Sequence, residues 1–202
     1  MGHKNPPRRK QDKSTHRSQL RIIAGEWRGR KLEFLATDGL RPTPDRVRET
    51  LFNWIQTVVP GAQCLDMFSG SGALGFEALS RGAERMTFIE RDAATARQLN
   101  ANLQNLKAQN GEIIQTDVLA WLETSQQDQE SKYDLVFLDP PFRQNLIAPC
   151  CALLESKNLL RDNAYIYIET ESELANPDVP PHWQEYRNKT AGQVTYRLYK
   201  RA

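Results

Sequence analysis

From residue 62 onward, short apolar runs alternate with segments whose apolar residues recur every three or four positions. The runs read as buried strands and the spaced segments as amphipathic helices. Strands are expected at 63–67, 85–90, 112–116, 133–138 and 164–169. Between them the pattern predicts a helix from a glycine turn to Ser80, and a second, capped by Asp92, with Ala96, Leu99, Leu103 and Leu106 on one face. A short helix with Val118, Leu119, Trp121 and Leu122 follows, and another over 144–156. Residues 182–189 and 193–199 alternate like an antiparallel pair turned near Gly192, and the polar stretch 124–132 reads as a surface loop. Strands alternating with helices predict an α/β fold: a mostly parallel seven-stranded sheet with right-handed crossovers, closed by an antiparallel C-terminal strand pair.

Upstream the rhythm differs. Two short runs, 20–24 and 31–35, flank Gly25-Glu26-Trp27-Arg28-Gly29-Arg30 and predict a β-hairpin. A helix start comes next. Thr43 suits the N-cap, Pro44 the first helical position and Asp45 the positive end of the dipole. This helix is expected to run to about Val58, with Val47, Leu51, Trp54, Ile55 and Val58 on one face. Arg46, Arg48 and Glu49 point elsewhere, and Pro60-Gly61 ends it. Residues 1–19 hold almost no apolar residue and read as flexible. The chain thus divides into a basic flexible arm at 1–19, an N-terminal hairpin extension at 20–40 and an α/β domain at 41–202.

Charge changes the picture of the N-terminus. Residues 1–31 carry ten basic side chains against Asp12 and Glu26, a net of +8, which leaves −6 for the rest of a chain whose total is +2. A basic arm on a mildly acidic body points to a polyanion, nucleic acid first. A solvated tail that aids solubility is the alternative. Trp27 among arginines could stack on a base while the cations meet phosphates, or could pack onto the domain. Cys64, Cys150 and Cys151 lie in apolar segments, form no zinc spacing and fit buried packing in a reducing compartment. The three histidines are scattered, so no metal is expected. No run is long enough to span a membrane, and no signal-peptide core is visible. Pro6 stands where a myristoylation motif needs Ser or Thr, and Pro6-Pro7 argues against an amphipathic transit helix. A cytoplasmic protein is expected.

The chemistry collects at strand ends. Gly70-Ser71-Gly72-Ala73-Leu74-Gly75 follows the first core strand and matches the glycine turn of a nucleotide-cofactor cradle. Asp66, Glu90, Asp117 and Asp139 each stand at a strand end, where such sheets bind ligands. Glu90 lies at the distance expected of a ribose-binding acid, so a dinucleotide-dependent oxidoreductase is a real alternative. Asp66 counts against it, because a carboxylate repels a pyrophosphate and attracts an ammonium or sulfonium. Asp139-Pro140-Pro141-Phe142 has no obvious part in hydride transfer. S-adenosyl-L-methionine suits both features. Asp66 can serve its ammonium, Glu90 its ribose hydroxyls, and Asp117 beside Val118 its adenine.

Asp66-x-Phe68-x-Gly70-x-Gly72, with Glu90, Asp117 and Asp139-Pro140-Pro141-Phe142, resembles the motif series of class I methyltransferases that methylate exocyclic amines. Arg21-Ile22-Ile23-Ala24-Gly25 with Arg28-Gly29-Arg30, and Leu40-Arg41-Pro42-Thr43 with Asp45-Arg46-Val47-Arg48-Glu49-Thr50-Leu51-Phe52, resemble more narrowly the bacterial RsmD family. That family comprises 16S ribosomal RNA guanine-N2 methyltransferases, and the similarity covers roughly 20–200. It implies a Rossmann-like class I methyltransferase domain at 41–202. Cofactor contacts are implied at Asp66, Met67, Phe68, Gly70, Ser71 and Gly72, and at Thr43, Glu90, Arg91, Asp117, Val118 and Asp139. RNA contacts are expected from Arg21, Trp27, Arg28, Arg30, Lys31, Arg46 and Arg48. The implied partner is 16S ribosomal RNA within an assembled or assembling small subunit, met by a monomer and no membrane. Adenine-N6 methylation of DNA or RNA shares the amine chemistry and stays open.

Guanine N2 is a poor nucleophile because its lone pair is delocalised into the ring. The Asp139 carboxylate and the Pro140 carbonyl can accept its two N–H bonds and turn the lone pair toward the methyl donor. Pro140 and Pro141 stiffen this loop, and Phe142 can stack on a base drawn out of its helix or loop.

Overall fold

The computed structural model describes residues 16–36, 42–126 and 132–202. A small antiparallel hairpin comes first, β1 (His16–Arg21) with β2 (Lys31–Ala36). Helix α1 (Asp45–Trp54) leads into the alternating part: β3 (Gln63–Asp66), α2 (Ala73–Ser80), β4 (Arg85–Glu90), α3 (Ala93–Leu106), β5 (Gly111–Gln115), α4 (Val118–Thr124), β6 (Tyr133–Leu138), α5 (Ile147–Ser156), β7 (Leu160–Glu171), β8 (Trp183–Ala191) and β9 (Val194–Arg201). The large sheet has the order β5-β4-β3-β6-β7-β9-β8. Its first five strands are parallel, and β7-β9-β8 are antiparallel. The expected seven-stranded sheet with its C-terminal pair and N-terminal hairpin is borne out.

The central strands are apolar on both faces because both faces are covered, whereas the edge strand β8 is polar and exposed. Along β6, Leu135 and Phe137 enter one core while Val136 and Leu138 enter the other. The first core is roofed by α1, α2, α3 and the hairpin; the second by α4 and α5. Leu20, Ile22, Trp27, Leu32 and Phe34 of the hairpin share the first core with Phe76, Phe88 and Phe137, so the extension and the sheet are packed as one body. Strand order reverses at β3, with β4 on one side and β6 on the other, and this is where such sheets bind ligands.

Several boundaries differ from expectation. Strand β1 reaches back to His16, into the segment expected to be an arm, because Arg17, Ser18 and Gln19 pair with Leu35, Phe34 and Glu33. Residues 1–15 of that arm, and Leu40-Arg41, lie outside the described residues. Helix α1 stops at Trp54, four residues before Val58, and tight turns carry the chain to Pro60 (Val58 N to Ile55 O, 2.9 Å). Its N-cap is Pro44 rather than Thr43. Helix α5 begins only at Ile147, since Arg143 and Asn145 have positive φ (61° and 54°) and break the helical path.

Candidate active site

The glycine turn is built between β3 and α2. Gly70 and Gly72 have φ of 47° and 75°. A Cβ on Gly72 would come within 2.5 Å of the Phe76 ring and 2.8 Å of Leu99, so both conformation and space demand glycine. Asp66 ends β3 and lies buried beneath this turn. Its carboxylate accepts from the amides of Gly75 (3.2 Å) and Phe68. Burial and the nearby Glu90 outweigh those bonds and push it up to about 7. Ser71 is buried in the turn, and the Met67 side chain points into the second core, which leaves the cofactor only its backbone. Phe68 packs partly against that core.

Glu90 ends β4 and holds the turn in place. One oxygen accepts from Gly70 N (2.9 Å), the other from Asp92 N (2.7 Å). A carboxylate has further acceptor capacity after two such bonds, so hydroxyls remain acceptable partners. Arg91 is exposed beside it. Asp117 stands two residues past the last paired residue of β5 and caps α4, its Oδ1 accepting from Leu119 N and Ala120 N (3.0 and 3.3 Å). The cap leaves Oδ2 for another donor. Val118 is buried next to it.

Asp139 follows β6, across β3 from Glu90. The Thr43 hydroxyl, expected to cap α1, hydrogen-bonds to Asp139 instead. Loss of water pushes the Asp139 carboxyl well above its usual range, and the charges of Glu169 and Asp66 push the same way. Pro140, Pro141 and Phe142 line an open cleft, together with Arg143, Leu146 and Glu169. Phe142 is 41% exposed at its rim, free to meet a planar ligand.

Glu169 was missing from the residues picked out in the sequence, although the apolar run 164–169 ends on it as the other four runs end near their acids. The register pairs Leu138 with Ile168, which sets Asp139 beside Glu169 on the same face as Phe137 and Tyr167. Glu169 is buried and accepts from the Tyr167 hydroxyl at 2.7 Å.

The site therefore holds Asp66, Glu90, Asp139 and Glu169, and among the described residues none of them is ion-paired. Their mutual repulsion suits a ligand that brings positive charge and disfavours a pyrophosphate. S-adenosyl-L-methionine, with its ammonium and sulfonium, fits this donor set.

The expected RNA contacts fare unevenly. Trp27 is buried in the first core, its amide bonded to Ser80 Oγ (3.0 Å), so it is not offered for stacking on bases. The turn seats on α2 so closely that a Cβ on Gly25 would fall 1.8 Å from the Ser80 carbonyl oxygen. Arg48 is 1% exposed and paired with Asp45 (2.7 Å) and Glu77 (3.3 Å), so it is part of the core and not an RNA contact. A lone arginine in a helix reads as solvated from sequence; the partner that buries it, Glu77, is twenty-nine residues away. Arg21, Arg28, Arg30, Lys31 and Arg46 are exposed. Arg28 and Arg30 lie toward the C-terminal ends of α2 and α3, through the seat on Ser80 and the bond from Arg30 to Asn105 O (2.9 Å). That is about 12 Å, the length of α2, from the glycine turn. Arg46 is three residues from Thr43 and so lies at the reactive end.

A parallel sheet with a glycine turn after its first strand, acids at successive strand ends and a β7-β9-β8 antiparallel edge defines the Rossmann-like class I methyltransferase fold. The family described as Conserved hypothetical protein 95 matches residues 20–200, and the chain belongs to it. The resemblance to RsmD proteins is borne out. The chain is 51% identical over 183 residues to ribosomal RNA small subunit methyltransferase D of Escherichia coli K12, covering 91% of this chain and 90% of the relative. The protein of the same name from Haemophilus influenzae is 49% identical over 187 residues, covering 91% and 95%. Among solved structures, the Escherichia coli methyltransferase candidate yhhF superposes with a TM-score of 0.83 at 48% identity, over 91% of this chain and 98% of that one. An RNA methyltransferase from Salinibacter ruber, solved with S-adenosyl-L-homocysteine, shares the fold at 17% identity and a TM-score of 0.59, over 79% and 93% of the two chains. Neither the oxidoreductase nor the adenine-N6 alternative finds support among these relatives. Among the described residues no helix is long and apolar enough to cross a membrane.

Proposed function

We propose that this protein methylates the exocyclic N2 amine of a guanine in small-subunit (16S) ribosomal RNA, with S-adenosyl-L-methionine as the donor. The observation that carries this reading is the set of buried and half-buried carboxylates, without an ion pair among the described residues, that ends beside the Pro140-Pro141-Phe142 cleft. Relatives that share about half of their residues with this chain are named ribosomal RNA small subunit methyltransferase D.

When bound, S-adenosyl-L-methionine supplies a methyl group activated on positive sulfur. Asp66 answers its ammonium, Glu90 its ribose, and Asp117 with Val118 its adenine. The backbone of Met67, Phe68, Gly70, Ser71 and Gly72 forms the cradle, and Thr43 and Arg91 border it. Asp139 and the Pro140 carbonyl accept the two N2–H bonds and hold the nitrogen lone pair free. Phe142 covers the base. The proton that the methylated nitrogen sheds has a natural acceptor in Asp139, whose desolvated carboxyl binds protons tightly. Thr43 holds that carboxylate in one orientation.

Exposed Arg21, Arg28, Arg30, Lys31 and Arg46 are the candidate RNA contacts, with the basic residues of 1–15 beyond them. Because Arg28 and Arg30 lie a helix length from the cradle, all five act together only on an RNA surface broad enough to reach both ends. An assembled or assembling subunit is such a surface, and a monomer working in the cytoplasm belongs to the same proposal. The three buried thiols suit a reducing compartment. Mapping modified nucleotides on ribosomal RNA from cells with and without the gene tests the proposal. Loss of a single N2-methylguanine from the small-subunit RNA is expected; an unchanged RNA, or loss of an adenine mark, overturns it.

A further inference from the structure

We infer that Glu169 is the specificity-determining residue that makes the cleft accept guanine, by taking the N1–H of the base whose N2 amine is held at Asp139 and Pro140. This rests on the guanine-N2 reading and adds to it the group that reads the base.

The geometry points there in three steps. First, Asp139, one residue past β6, and Glu169 on β7 each follow the last registered pair, Leu138 with Ile168, which sets them side by side on the same face of the sheet, close enough for their charges to interact. Adjacent strands lie about 4.8 Å apart. The N1 and N2 nitrogens of guanine are separated by one ring carbon, so a base whose amine sits at Asp139 carries its N1 within reach of a neighbouring carboxylate. Second, Glu169 lines the same cleft as Pro140, Pro141 and Phe142, so it faces the base and not only the core. Third, its orientation is fixed from behind. Tyr167, two residues back on the same face, donates its hydroxyl to Oε2 at 2.7 Å, which leaves Oε1 as the acceptor for a ligand.

The discrimination follows from donor and acceptor identity. Guanine offers N1–H, a donor, beside its amine. Adenine offers a bare N1, an acceptor, beside its own amine. A carboxylate receives the first and repels the second. A buried group left facing the wrong partner is costly, and sites built this way reject the mismatched analogue by about 10⁴-fold. Asp139 and Pro140 alone cannot make this distinction, because they read only an amine, which both bases possess.

The test uses the full chain and small-subunit RNA in which the accepted guanine, once mapped, is replaced by 2-aminopurine. That base keeps the N2 amine and carries an acceptor at N1. The wild-type enzyme is expected to favour guanine by about 10³-fold or more in kcat/KM. In Glu169→Gln the amide oxygen can keep the Tyr167 bond while the amide NH₂ faces the cleft. That variant is expected to lose guanine activity, to gain on 2-aminopurine, and so to move the ratio by about 100-fold. Its affinity for S-adenosyl-L-homocysteine and its melting temperature should stay near wild type. An unchanged ratio in a folded variant overturns the inference. So does a wild-type enzyme that uses both RNAs equally, whether or not the variant folds. A wild-type enzyme that methylates no guanine overturns the guanine reading itself, and this inference with it.

Discussion

A single carboxylate buried within helix α2 and a cluster of buried and half-buried carboxylates at the start of that helix are built in opposite ways. Glu77, within the helix, is fully buried and fully answered. It accepts from Arg48 (3.3 Å), Arg81 (2.7 Å) and the amides of Ile23 and Ala24 (2.9 and 3.0 Å). Those partners come from α1, α2 and the hairpin segment, so one carboxylate ties three parts of the chain together. At the start of the helix, Asp66, Glu90, Asp139 and Glu169 gather with hydrogen bonds but without a cation among the described residues. A buried charge with its counter-charge supplied by the chain holds the fold. A buried charge without one is poised for a ligand that brings it.

This contrast can be broken from either side. The largest effect is expected from Asp139→Ala, which should lower turnover by about 10³-fold while leaving cofactor affinity within a few-fold, as measured by single-turnover kinetics and calorimetry. Loss of affinity in step with turnover would make Asp139 a cofactor ligand rather than an amine acceptor. Glu77→Ala should act on the opposite side. Taking from buried Arg48 its one fully buried partner, and from Arg81 and the two hairpin amides their acceptor, is expected to cost about 3 kcal/mol of stability, read by denaturant unfolding, and the first protection lost in hydrogen exchange should be that of the hairpin turn.

A third effect is on pH dependence. Asp66 in the free protein titrates at about 7. A cationic cofactor selects the ionised form, so protons compete with it. Affinity should be level above pH 7 and fall about tenfold per unit below it, and Asp66→Asn should abolish the slope. In the free protein the sign is reversed. The folded state binds this proton more tightly than the unfolded one, so the group's contribution to stability declines as pH rises from about 4 to 7. The smallest effect is at the RNA surface. Arg46→Ala, at the reactive end, should weaken RNA binding more than Arg28→Ala, and removing residues 1–15 should flatten the salt dependence of binding. Equal effects of the two arginines would remove any preference between the ends.

The sequence disclosed the alternation of strands and helices, the mostly parallel sheet and the acids at four strand ends, because period-two and period-3.6 patterns and strand-end polarity are local. It did not disclose pairings across distance. Arg48 looked like a surface arginine because Glu77 lies on another helix. Thr43 looked like a cap because its bond to Asp139 bridges ninety-six residues. Trp27 could be read either way until the hairpin was seen to share the core of the sheet. Glu169 was legible as a strand-end acid, yet only the register beside Asp139 gives it a role.

The most direct measurement is a calorimetric titration of the protein at pH 8 with S-adenosyl-L-methionine and, separately, with NAD. Saturable binding of the first, weakened in Asp66→Asn, with no heat from the second, is expected of an acidic edge that awaits a cation. Binding of NAD, or an affinity for S-adenosyl-L-methionine indifferent to the loss of the Asp66 charge, would contradict it.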